Sequence, residues 1–390
     1  MSVNAMATED VYALLNVLHS QATGHSGVVA TNLEDFTSMA TETLQAGTDT
    51  VYSVLMQTIG RTIFSSRPYR PKFGGIEADA GRWGGITRKI SIADRVAPAE
   101  SAYHPTDGAT VDQFTIRKND VVEMRYYGTD VYQDWFTVFE DQLINAFSGP
   151  EQLGSFVALQ TQEMTNKWEQ YREELVRSNL VNFIAAKNSI NNGIIHLLTE
   201  YNTLTGISPA LTAQTVWQPG NVEPFFRWVR ARVNTLSRMM TERSAAFQQT
   251  LTGKALSRHT PYENQKIYLQ ADCLDMIDAM VNTVTYHNEP LAYADVESVT
   301  YWQGIQDPME INATAVYLKN DGTLDTTAAQ NLTSVFGMMF DEDAIAYNLK
   351  DWKIANSPFN ARGRYWNTFL TVNIQLMQDL TEKGIILLLD

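Results

Sequence analysis

Residues 148–175, SGPEQLGSFVALQTQEMTNKWEQYREEL, carry the periodicity from which the rest of the chain can be placed. Ser148 and Glu151 stand three apart around Gly149 and Pro150, the spacing of a capping box that starts a helix. Apolar side chains then recur at Leu153, Val157, Met164, Trp168, Tyr171 and Leu175, with Gln, Glu and Arg between them. That is the single stripe of an amphipathic helix. About 25 residues at 1.5 Å each give nearly 40 Å, long enough to act as a spine. Its expected core-facing residues are Val157, Met164, Trp168, Tyr171 and Leu175.

Upstream of this helix the texture is extended. Ile86–Ile92 (ITRKISI) and Val111–Arg117 (VDQFTIR) both alternate with the period of two that strands require. The small and turn-forming residues of Pro98–Gly108 separate them, so the pair is expected to form a long two-stranded projection. An isolated ribbon is marginal in water and needs a surface to lie on. Before it, RPYRPKFGGIEADAGRW (67–83) is rich in proline and glycine and is expected to be a loop or extended connector. Glu9–Leu18 places Val11, Leu14, Leu15 and Leu18 at helical spacing, whereas His19–Thr50 is dominated by Thr, Ser, Gly and Ala. So sparse an apolar content is expected to leave that stretch either disordered or ordered only against a neighbour.

Downstream, past Asn188–Gly193, the chain turns to mixed α and β. Pro224 opens a helix with Phe225, Val229, Val233, Leu236 and Met240 on one face. Lys266–Gln270 is strand-like and runs directly into Ala271–Val284, where Leu274, Ile277 and Val281 recur at helical spacing. Phe369–Met377 alternates as a strand. Gly384 precedes the aliphatic run Ile385–Leu389, which reads as a buried strand. Neither an internal repeat nor a low-complexity tract interrupts this order.

Charged residues make up 19 % of the 390, below the roughly 25 % of an ordinary soluble domain. Such a deficit is expected where much of the surface rests on other subunits, because interface cores exclude charge. The formal net charge of −15 excludes a protein that wraps nucleic acid with its whole surface, since phosphate neutralisation needs Lys and Arg. Cys273 is the sole cysteine, so neither a disulfide framework nor a thiolate metal site can be built. Met1–Leu15 lacks the basic start and continuous apolar stretch of a secretory signal. Ile385–Leu389 is too short to cross a bilayer, so no membrane partner and a reducing, intracellular setting are expected.

Catalytic signatures are missing. The sequence holds no GxxxxGK[ST], GxGxxG, GxSxG or HExxH, and its histidines never stand three or four apart. No catalytic residue, metal or cofactor is therefore expected. Asp341-Glu342-Asp343 could offer oxygens to a hard cation. The plainer expectation is a helix N-terminus, with Ala344-Ile345-Ala346 continuing the helix and the carboxylates facing its dipole. Tyr347, Asp351, Trp352, Tyr365 and Trp366 could line a sugar cleft, but aromatics in this number more often fill a core or interface.

One local asymmetry stands out. Residues 222–258 hold seven bases against two acids in an otherwise acidic chain. Arg227, Arg230, Arg232, Arg238 and Arg243 are the candidates for a face that meets DNA phosphates or acidic surfaces of adjacent subunits. The alternative is a solvated face whose charges pair elsewhere in the same fold.

The order of parts resembles the major capsid proteins of tailed phages, with their Hong Kong 97-type capsid fold. IYLQADCLDMIDAMV (267–281) is similar to the strand-to-helix unit of that family's axial lobe. SVFGMMFDEDAIAYNLKDWKIANSPFNARGRYWNTFLTVN (334–373) resembles a late segment of many such subunits. The resemblance implies an α+β chain in five parts. These are an N-terminal arm (1–70), an extended β-hairpin loop (71–130), a peripheral domain with the spine helix (131–190), an axial domain (191–349) and returning C-terminal strands (350–390). It implies a structural protein, not an enzyme. Copies would form pentamers and hexamers in an icosahedral shell around double-stranded DNA, with portal and scaffolding proteins as further partners. Assembly would take place in the host bacterial cytoplasm. The arm would reach along a neighbour's spine, and a truncation starting at residue 51 would still fold but assemble poorly. An encapsulin-like compartment shell, or a tail or connector component, are the alternatives. Some relatives cross-link through a lysine on the projecting loop; Val96–Val111 contains none.

Overall fold

A computed structural model describes residues 8–24, 30–56, 73, 76, 86–95, 106–111, 114, 116–127, 130–251, 253–254, 256–282 and 295–390. A short helix, Glu140–Ala146 (α4), leads into the spine helix, which is longer than its stripe suggests. The spine spans Pro150–Ile190 (α5), 41 residues, or about 60 Å at 1.5 Å per residue. Its N-cap is Gly149, without a side-chain bond, and Ser148 Oγ instead donates to Asn145 O at 2.7 Å. The capping box read at Ser148 and Glu151 therefore does not form; Pro150, preset for helical φ, opens the helix. It closes at Asn191, which adopts a left-handed φ of 47°. The last turns escape a single-stripe reading because Val176, Leu180, Val181, Phe183 and Ile184 are all buried, being covered on more than one side.

Five strands form the principal sheet: Ile194–His196 (β4), Gly384–Leu388 (β12), Val335–Asp341 (β9), Gln265–Gln270 (β5) and Asp295–Val299 (β6), in that order. All seven residues of β9 are buried, because both faces of the sheet are covered. Met338, Phe340, Ile386 and Leu388 share a core with the C-terminal half of α5. Phe336, Met339, Ile385 and Leu387 face the other way, towards Val222–Thr241 (α7) and Ala271–Asn282 (α8). On α7, Phe225, Val229, Val233, Leu236 and Met240 are each fully buried, which is the face its spacing predicts.

A second sheet holds Ile345–Asn356 (β10), Tyr365–Gln378 (β11) and Asp130–Phe139 (β3), all antiparallel. Alternate residues of β11, among them Trp366, Leu370, Val372 and Ile374, point inwards. The acidic run is not a helix start. Asp341 ends β9, Glu342–Ala344 turn, and β10 begins at Ile345. Asp341 accepts from Thr260 Oγ1 at 2.7 Å and from Asp343 N at 2.9 Å, so its carboxylate is used to shape a tight turn between strands.

The sparse N-terminal stretch is helical. Thr8–Thr23 (α1), Leu33–Gln45 (α2) and residues 48–56 (α3) pack on their own chain. Phe36, Val51, Tyr52 and Leu55 are fully buried with Leu143, Leu153, Val157 and Trp366. Each such side chain is worth about 1.5–3 kcal/mol, so a few well-placed groups suffice where average composition reads as unstructured. Trp366 Nε1 donates to Asp49 Oδ1 at 2.6 Å, and the Tyr52 ring stacks on the indole at 4.8 Å.

Candidate assembly surfaces

The expected ribbon exists with a different second strand. Ile86–Ile92 (β1) pairs antiparallel with Val121–Tyr127 (β2), from Ile86↔Tyr127 to Ile92↔Val121. Phe114 and Ile116, in the run expected to be that strand, lie outside β2 and are 86 % and 83 % exposed. The alternation at Val111–Arg117 matched the period, but Val121–Tyr127 also alternates, and pairing chose the latter. Most of the connector 67–83 and of the ribbon tip lies outside the described residues; Phe73 and Ile76 are buried in the core beneath the main sheet.

The two faces of this ribbon have different surroundings. Ile90, Ile92 and Val121 are exposed on one face together with Arg88, Glu123 and Arg125. There Glu123 accepts from Arg88 Nε at 2.6 Å and from Arg125 Nε at 2.7 Å, and these bonds, Arg125's foremost, hold its carboxyl down at about 2. The opposite face rests on the subunit itself. Lys89 Nζ lies 2.9 Å from Asp379 Oδ2 and 2.7 Å from Glu382 Oε1, both in the turn between β11 and β12. Met124 and Thr381 touch through the thioether at 3.9 Å.

The spine helix crosses three cores in succession. Val157 packs among the N-terminal helices. Met164 joins Leu370, Val372 and Ile374 under the three-stranded sheet, where Trp168 and Leu175 are partly buried. Tyr171, expected in the core, is 45 % exposed and stands at the margin of that sheet. The reason is angular: at 100° per residue the stripe drifts around the helix, and Tyr171 has passed the edge of the surface its predecessors cover.

The basic run 222–258 is drawn largely into ion pairs within the chain. Arg227 pairs with Glu223 at 2.7 Å, and Arg232 holds Glu200 through two bonds of 2.7 and 2.9 Å. Arg243 reaches Asp94 at 2.8 Å, Lys254 reaches Asp120 at 3.5 Å, and Arg258 reaches Glu382 at 3.3 Å. Arg238 is exposed and Arg230 partly so. Only the Arg227–Glu223 pair, four residues apart, follows a helical spacing rule; the partners of Arg232, Arg243, Lys254 and Arg258 come from distant parts of the chain, Glu200 being 32 residues from Arg232.

Elsewhere the charged side chains serve structure. Among the described residues no group of His, Cys, Asp and Glu stands where it could hold a metal ion. No described helix is long and apolar enough to cross a membrane. Cys273 is buried, and burial pushes its thiol well above the usual range, which makes it a poor nucleophile.

A charged ribbon, then a long spine helix with mixed sheets packed along it, is the Hong Kong 97-type fold of tailed-phage capsid shells. Within that class, the chain belongs to the Phi29-like phage major capsid protein family, whose model matches residues 13–381. Its fold is similar to a chain in the structure of the head fiber and inner core protein gp22 of native bacteriophage P68. The TM-score there is 0.52 at 9 % identity, over 82 % of this chain and 85 % of that one. A chain of the Staphylococcus phage Andhra capsid gives 0.49 at 9 % identity, over 81 % and 83 %. No curated protein matches the chain. The protein is a structural subunit of a phage capsid shell, and its place is the virion.

Proposed function

We propose that copies of this subunit close into pentamers and hexamers around double-stranded DNA, in the host cytoplasm, with portal and scaffolding proteins as further partners and with no catalytic activity of their own. The observation that carries the reading is the ribbon's exposed apolar face, Ile90, Ile92 and Val121, with Ile116 also exposed in the segment that leads into β2. An unpaired two-stranded ribbon that leaves such side chains in water is completed by another surface. A second copy supplies that surface identically around a ring.

The five-part division follows from this: residues 71–130 as the projecting loop, 131–190 with the spine, 191–349 as the axial lobe, and 350–390 returning between them. The arm, 1–70, has a different part from the one its composition suggested. Its described residues are tied to their own subunit's Trp366 and Val157, and any contact with a neighbour is made from there. Charge pairing along 222–258 leaves a wall that meets DNA weakly. Arg238 is the residue through which such contact is expected.

The test is to express the chain alone and with a candidate scaffold, and to examine the product by size-exclusion chromatography and negative-stain microscopy. Closed shells, or rings of five and six, support the reading. A monomer under all conditions would sink it, and nuclease-protected nucleic acid in purified shells distinguishes a DNA container from a protein compartment.

A further inference from the structure

The ribbon is joined to its own subunit by more than the pair at Lys89. Asp94, just past β1, accepts from the Arg243 guanidinium at 2.8 Å through Oδ1 and from the Ser257 backbone N–H through Oδ2. Asp120, just before β2, faces Lys254 at 3.5 Å. Arg258 donates to Ser91 Oγ on β1 at 2.7 Å and lies 3.3 Å from Glu382, which in turn holds Lys89. Ala93 N donates to Asp120 O at 2.8 Å, closing the ribbon between these contacts. Lys89, Asp94 and Asp120 thus each have a partner of opposite sign on one of two segments, the loop 242–258 and the turn 379–382, while Arg95 donates to Asn119 within the ribbon.

The loop 242–258 is itself anchored by two buried lysines, one of them next to the turn 379–382. Lys383 is fully buried, and its Nζ donates to Met240 O and Ser244 Oγ at 3.1 Å each and to Glu242 O. Lys187, also fully buried, donates to Phe247 O at 2.8 Å. Ser244 and Arg258 exchange backbone bonds of 3.0 and 3.1 Å, which bring the two ends of the loop together. The loop that receives the ribbon's carboxylates is therefore fixed to the spine helix and to the strand that follows the turn. This rigidity is what a positioning device needs, because a charge on a mobile loop would follow the ribbon instead of holding it.

We propose that Lys89, Asp94 and Asp120, with Arg243, Lys254, Arg258, Asp379 and Glu382, form an intrasubunit clasp that sets the direction of the ribbon before assembly. The proposal rests on the capsid reading for its purpose: a preset ribbon presents Ile90, Ile92 and Val121 to the next subunit without an ordering cost at docking. The mixture of signs matters. Two ribbon carboxylates meet cations and one ribbon cation meets two carboxylates, so a rotated or displaced ribbon would bring like charges together.

Amide hydrogen exchange of the unassembled full-length chain tests this, with β9 amides as the internal reference. Asp94→Asn with Asp120→Asn leaves no buried charge without a partner, and the protein is expected to fold. Amides of 86–92 and 121–127 should then exchange about threefold to tenfold faster, the range that partly exposed ion pairs allow, with β9 unchanged. Lys89→Met should accelerate them further, and Lys89→Arg should restore most of the protection. Asp94→Arg should accelerate exchange, and adding Arg243→Asp should bring it back. Ribbon exchange that stays at the wild-type rate in all of these variants would overturn the clasp. Light scattering under assembly conditions reads the consequence: the asparagine pair should assemble several-fold more slowly than wild type. If wild type itself fails to form shells the capsid reading falls, while the exchange data still decide the clasp.

Discussion

The side-chain amide of Asn182 makes both backbone hydrogen bonds of Val316: Val316 N donates to Asn182 Oδ1 at 2.7 Å, and Asn182 Nδ2 donates to Val316 O at 2.9 Å. Val316 lies in the strand Ile311–Leu318 (β7), which pairs with Leu324–Leu332 (β8). Between Ala315↔Ala328 and Tyr317↔Asp325 the register slips, leaving Val316 out of the ladder. The spine helix supplies what the sheet cannot, and so fixes the β7–β8 hairpin against itself.

Asn182→Leu keeps the branched outline of the side chain but removes both bonds, together with the 2.7 Å bond from Asn182 Nδ2 to Gln378 Oε1. It should cost about 0.5–1.5 kcal/mol, the net worth of a hydrogen bond whose backbone groups water can reach, and should loosen the hairpin before the rest of the fold. Denaturant melts give the first figure and amide exchange at residues 311–332 the second. Wild-type protection of those amides would contradict the assignment.

Trp366 ties the N-terminal helices to β11. Replacing it with Phe keeps a ring beneath Tyr52 but deletes the donor to Asp49, leaving that carboxylate without its 2.6 Å partner. A loss of about 1–3 kcal/mol is expected. Removing residues 1–50 is a larger change, because Leu143, Leu153 and Trp366 would face water. The truncated chain should melt well below the full chain in a thermal scan, which reverses the expectation drawn from composition.

Gly337 sits mid-strand in β9, between β12 and β5. A Cβ there would lie 2.7 Å from Tyr268 O and 2.5 Å from a Leu269 methyl carbon. The carbonyl belongs to a central strand and cannot yield. Gly337→Ala should destabilise by about 1–3 kcal/mol even though alanine favours strands no less than glycine does. A melting midpoint equal to wild type would show that β5 and β9 can part at no cost.

Lys187 supplies a pH dependence. Burial pulls its ammonium down from the usual 10.5 to about 7, with Asp379 opposing weakly. The unfolded chain binds that proton more tightly than the folded one between about pH 7 and 10.5, so this group makes wild type more stable as pH rises through that window. Lys187→Met has no such proton. Its stability relative to wild type should be greatest below pH 7 and should fall as pH rises towards 10.5, read by chemical denaturation at a series of pH values. A constant difference across that range would mean that Lys187 stays charged inside the fold.

Much of this architecture is written in local periodicity. The spacing at Leu153, Val157 and Met164 determines a helix. The face of α7 from Phe225 to Met240, the β5–α8 unit and the alternation of Phe369–Met377 likewise announce their elements, because helix and strand repeats report which side will be covered. Composition narrowed the chemistry to be expected: a single cysteine allows neither a disulfide framework nor a thiolate metal site. Tertiary structure decided the rest. Both Val111–Arg117 and Val121–Tyr127 alternate, and only pairing with Ile86–Ile92 selects between them. Asp341-Glu342-Asp343 precedes a helix or a turn equally well in isolation; it becomes a turn because β9 and β10 belong to different sheets. His19–Thr50 is poor in apolar residues on average, yet Phe36 and Met39, with Tyr52 just beyond, meet a surface prepared by Trp366, more than three hundred residues later. Arg232 finds its carboxylate on α6 (Leu197–Thr205) and Arg243 finds one just past β1 of the ribbon. Periodicity records burial along one element, whereas the choice of partner depends on surfaces that come together only when distant parts of the chain fold.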